Sequence, residues 1–147
     1  MPCKRRHQLL SNEPVRIELL RELVEKTGGA WVTCIGASME PTILRGARLR
    51  VAATGRPRPG DVILFEAGSH LVTHRVLARI PGPGGPFLVH AGDAGAGTPA
   101  LVRESRVIGR IQSRRRDIPL PTRLRAAGSA IARALRQRLR RHALVML

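Results

Sequence analysis

The chain has 147 residues, a net charge of +16 and only 2% aromatic residues, which suits a single domain whose core is built from Val, Ile, Leu and Ala. Nearly all of the positive charge is arginine, lysine occurring only at Lys4 and Lys26, and such a charge draws nucleic acid or anionic lipid before any specific contact forms. Two cysteines, Cys3 and Cys34, are too few for a disulfide framework and lack a zinc-type spacing, and no apolar run reaches the roughly 20 residues that cross a bilayer.

Residues 1–29 read as a basic segment, Met1-Pro2-Cys3-Lys4-Arg5-Arg6, leading into an amphipathic helix. Asn12 can cap that helix, which the spacing predicts from Glu13 to Thr27 with Val15, Leu19, Leu20, Leu23 and Val24 on one face and Gly28-Gly29 as its stop. Residues 30–118 then read as a β-rich domain. Its predicted strands are 31–35, 49–53, 61–65, 71–80, 87–90 and 107–111, punctuated by Arg56-Pro57-Arg58-Pro59-Gly60 and by the Pro-Gly-rich loop 81–86. The expectation is a mainly β, antiparallel domain with Trp31, Phe65 and Phe87 as its largest core pieces. Over 119–147 the helical period returns, with Leu124, Ile131, Leu135 and Leu139 on one stripe and Arg125, Arg133, Arg136 and Arg140 opposite. From Arg114 onward ten arginines stand against one acid, Asp117. An arginine-rich amphipathic helix of this kind suits an anionic membrane surface, with nucleic acid ranked below it and a solvated or partner-packed helix as the plain alternative.

The residues that carry chemistry begin with Ser38, at a glycine-flanked strand end. A serine hydroxyl is protonated at neutral pH and needs a neighbouring base before it attacks anything. Both lysines precede it in the basic segment and first helix, on no strand that returns to the serine, which leaves histidine. His7 and His142 lie in basic ends; His70, His74 and His90 lie in or beside strands. His74, between Val72, Thr73 and Val76, sits on stiff backbone suited to holding a ring in place, and His90 is the runner-up base. His70 and His74 have a metal-pair spacing on a helix, but on a strand they stand about 13 Å apart, so neither metal nor cofactor is expected. Asp93, in Gly92-Asp93-Ala94-Gly95, suits a turn and can also hold an imidazole in the right tautomer. Cys34 lies in an alternating apolar run and reads as a packing residue.

Five ordered motifs then carry a resemblance: Gly36-Ala37-Ser38-Met39-Glu40-Pro41-Thr42, Gly60-Asp61-Val62-Ile63, Thr73-His74-Arg75-Val76, Gly92-Asp93-Ala94 and Val107-Ile108-Gly109-Arg110. Over residues 32–111 the chain resembles the type I signal peptidase family and the related self-cleaving repressor proteases. The resemblance implies a coiled, largely antiparallel sheet that binds an extended peptide or protein by strand addition and cleaves it after small residues. It makes Ser38 the nucleophile of a serine endopeptidase, with Met39 and Pro41 shaping its turn. The pair His74-Arg75 is similar to the HR motif of the reticulum-type branch, where histidine replaces the lysine base of most bacterial relatives. Three departures stand beside it. A charged helix occupies the place of the usual membrane anchor, which points to a cytoplasmic protein, either soluble or peripherally attached to membrane, and to substrates other than exported proteins, self-cleavage included. Gly36 stands where the family often has a serine, so oxyanion binding falls to backbone amides, notably that of Ser38. Thr98 and Pro99 stand where the reticulum-type branch has a further acid, so either Asp93 alone orients His74 or no acid does and a Ser-His dyad works unassisted. The competing reading is a non-catalytic peptide-binding module whose basic tail attaches it to membrane or nucleic acid.

Overall fold

A computed structural model describes residues 13–95 and 98–112. One helix, α1 (Glu13–Thr27), precedes seven strands: β1 (Gly29–Thr33), β2 (Arg48–Ala52), β3 (Val62–Ala67), β4 (His70–Ile80), β5 (Phe87–Ala91), β6 (Ala100–Arg103) and β7 (Val107–Gln112). The strands form one curled antiparallel sheet in the order β1-β2-β7-β3-β4-β5-β6. The described residues are therefore mainly β, as their short apolar runs and frequent turn residues dictate. The helix expected over 119–147 and the segment before Glu13 lie outside the described residues. No helix among the described residues is long and apolar enough to cross a membrane.

Strand β3 shows how the sheet buries both faces. Val62 and Leu64 join Ile17, Val24, Met39, Ile43, Val51, Ile108 and Ile111 in one cluster, whereas Ile63 and Phe65 join Val76, Leu88 and Val102 in another. Successive side chains of a strand point to opposite faces, so a run of four apolar residues marks a strand covered on both sides. The two-residue turn Gly68-Ser69 connects β3 to β4, with Gly68 at φ 64, a left-handed conformation that glycine adopts without strain.

Two expectations about packing are corrected. The helix docks through Ile17, Leu20 and Val24, while Val15, Leu19 and Leu23 are exposed. At 100° per residue those two stripes lie on roughly opposite sides of the helix, and only one of them can meet the sheet. Arg21, beside the docked stripe, reaches past it to the Val107 carbonyl at 3.1 Å and to Glu66. Trp31 is 54% exposed instead of buried, because β1 is an edge strand and this residue lies on its outer side beneath the Arg48 guanidinium, 5.4 Å from the ring centroid. Strand β6, not expected from the sequence, is added beyond β5 in register from Phe87 opposite Arg103 to His90 opposite Ala100.

Candidate active site

Residues 34–47, between β1 and β2, carry the nucleophile candidate. The turn is closed by the Glu40 amide donating to the Ala37 carbonyl (3.1 Å) and the Ile43 amide donating to the Met39 carbonyl (2.9 Å). Its foundation is apolar: Met39, 1% exposed, and Ile43 insert into the cluster beneath the helix. With its neighbour pinned inside, Ser38 is left exposed at the crest of the turn. The following Glu40-Pro41 peptide bond is cis. Gly36 is exposed one residue before Ala37, and Cys34 packs partly buried against the same cluster, as a small apolar residue does.

His74 comes from β4, opposite Ile63 of β3. Its Nε2 lies 3.2 Å from Ser38 Oγ, and its Nδ1 lies 3.0 Å from Nδ1 of His90. His90, on β5, pairs with Val76 of β4, so the two histidines are diagonal neighbours on one face of the sheet. A register shift between Val76 and Ala78 brings them to this position. Phe65 packs beside both rings, 4.5 Å from the His90 centroid and 6.2 Å from that of His74.

Burial under these groups sets the proton affinities. Removal from water lowers the pKa of His74 below 6.5, the nearby negative charge of Asp93 only partly offsetting it. His90, 6% exposed, is pushed down to about 4 by desolvation first and by the neighbouring His74 second. Both rings are neutral at physiological pH, and a neutral imidazole is what a serine hydroxyl needs beside it.

Asp93 is placed differently from the expected direct contact with His74. Its carboxylate is held by Arg75, which donates from Nε to Oδ1 at 2.8 Å and from a terminal nitrogen to Oδ2, both side chains being almost completely buried. The side-chain partner at His74 Nδ1 is instead His90. Sequence alone ranked His90 as a second base, and the signal that would have placed it is the β4–β5 register, which the bulge conceals.

The glycine-aspartate motifs brace this arrangement. Arg75 also donates to the Gly60 carbonyl at 2.9 Å, where Gly60 has φ 98. Gly60 and Asp61 then hydrogen-bond both ways with the Val76 backbone, at 2.8 Å each. On the other side the Ala94 amide donates to the Ser38 carbonyl at 3.0 Å, and Gly92 lies so close that a Cβ there would collide with the Ser38 carbonyl. Three of the motifs thus meet at Arg75, and two of them reach the serine, one through His74 and one through the Ala94 amide. Among the described residues no buried side-chain nitrogen or oxygen lacks a partner. No family model matches the chain, and no curated protein matches it.

Proposed function

We propose that this protein is a serine endopeptidase in which Ser38 attacks a peptide carbonyl while His74 takes its proton. The observation that carries the reading is the 3.2 Å separation of Ser38 Oγ from His74 Nε2, with the serine exposed and the imidazole neutral. In the first step the proton of Oγ passes to Nε2 as the new C–O bond forms. The imidazolium then returns that proton to the leaving amine, and water releases the acyl group by the same route. The Ser38 amide is the donor proposed for the oxyanion, and Met39 and Gly36 on either side shape the turn that aims it. Asp93 acts at a distance, its charge favouring the imidazolium while Arg75 holds it in place.

The proposed substrate is an extended chain. Residues 70–74 of β4 pair with β3 on one side, whereas pairing with β5 begins at Arg75. A peptide added along that free edge would run past His74 and Ser38, in the manner that the resemblance to signal peptidases and repressor proteases implies. A protein that only held such a peptide would have no use for the approach of Oγ to Nε2. Membrane or nucleic-acid attachment through the arginine-rich tail is compatible with either function and is tested separately, by vesicle and DNA binding at two salt concentrations.

The deciding experiment measures cleavage of a quenched-fluorescent peptide library rich in small residues, together with acylation by p-nitrophenyl acetate mapped by mass spectrometry. Ser38→Ala and His74→Ala should each lower turnover by about 10³-fold or more with the fold retained. Activity should persist to a lower pH than a free imidazole at 6.5 would allow, since the folded environment lowers the His74 pKa. Full cleavage by either alanine variant overturns the proposal.

A further inference from the structure

We infer that His90 is the positioning residue of this site, a neutral imidazole acceptor that fixes the tautomer and plane of His74 in place of a carboxylate. The inference rests on the reading of Ser38 and His74 given above and adds a third member to it. Two ring nitrogens 3.0 Å apart must share one proton between them, since two bare lone pairs or two N–H groups repel. The other end of the His74 ring decides which nitrogen holds it. To accept the Ser38 proton, Nε2 must be bare, so the His74 proton sits on Nδ1 and is donated to Nδ1 of His90. His90 then carries its own proton on Nε2.

The surroundings agree with that assignment. Asp93, the carboxylate closest in sequence to this role, has its oxygens taken by Arg75. Phe65 packs on the His90 ring at 4.5 Å, and burial leaves the ring little freedom to turn or to meet water. As Ser38 loses its proton, His74 becomes an imidazolium and its Nδ1–H bond to His90 becomes charge-assisted. No proton moves to His90: one leaves Oγ, arrives at Nε2 and later leaves with the amine. The bridging proton stays on His74 throughout.

The test compares His90→Leu, which keeps the apolar bulk and removes the acceptor, with His90→Asn, whose amide oxygen can occupy the position of Nδ1. Nitrogen-15 NMR of the histidines reads the tautomer directly and needs no substrate. The wild-type protein should show His74 protonated on Nδ1. His90→Leu should shift it toward the Nε2–H form, with kcat for p-nitrophenyl acetate lower by on the order of 10²-fold and KM little changed. His90→Asn should retain the Nδ1–H form and most of the kcat. A wild-type His74 protonated on Nε2, or equal activity loss in the two variants, overturns the inference. Should His90→Leu fail to fold, the wild-type and His90→Asn tautomers still decide it. A correct tautomer in a protein that never acylates Ser38 would sink the peptidase reading and leave the orientation of His74 by His90 standing.

Discussion

Arg75 is 1% exposed, and its buried guanidinium is stabilised by N–H groups that meet Asp93 and the Gly60 carbonyl. Substituting Asp93→Asn leaves that charge with a neutral partner and should cost about 3–5 kcal/mol by urea denaturation. His90 gives a second residue-scale expectation. Between about 6.5, its ordinary value, and about 4, its folded value, the unfolded chain binds a proton that the native state refuses. Its stabilising effect is therefore complete above pH 6.5 and is lost as pH falls toward and through about 4. A urea midpoint that declines over this window in the wild type, and declines less in His90→Asn, would bear this out. Ser38 and His74 were legible in the sequence because one follows a glycine at a strand end and the other lies among β-branched residues. The partner of Asp93 was not: a carboxylate beside a glycine reads the same whether it will face arginine or histidine.

Among the elements, the loop that follows β5 fastens the serine turn to the rest of the site. The Ala94 amide holds the Ser38 carbonyl, and Gly92 permits the two backbones to touch. Gly92→Ala should therefore displace the serine turn, lowering acylation of Ser38 by about tenfold or more while the thermal midpoint changes far less than the rate. Measuring both on one preparation separates loss of geometry from loss of fold. The sequence showed α1 and most strands because their periods of 3.6 and 2 are distinct. It did not show which side of α1 would dock, since Val15, Leu19 and Leu23 are as regular as Ile17, Leu20 and Val24. Nor did it show β6, whose four residues after Thr98-Pro99 are too few for an alternating pattern to register. An outward Trp31 was equally hidden, because edge or interior position is a property of strand order and not of the strand.

At the scale of the whole molecule, the sheet order sets β7 between β2 and β3. Gly109 makes that insertion possible, for a Cβ there would come within 2.5 Å of the Ala52 carbonyl and 2.6 Å of a Val51 methyl. Gly109→Val should consequently destabilise the entire sheet by several kcal/mol, as one cooperative loss of near- and far-ultraviolet circular dichroism rather than local fraying. The five sequence motifs span the stretch that holds all of this, yet alone they do not reveal that three of them meet at one arginine, since that convergence depends on long-range pairing. Strand order also has a consequence in time. Ser38 leaves the ribosome on one side of a gap and His74 on the other, and the strand that closes the gap is translated after both. On this order the Ser38 hydroxyl and the His74 imidazole are expected to reach their final spacing only once residues 107–112 have joined the sheet.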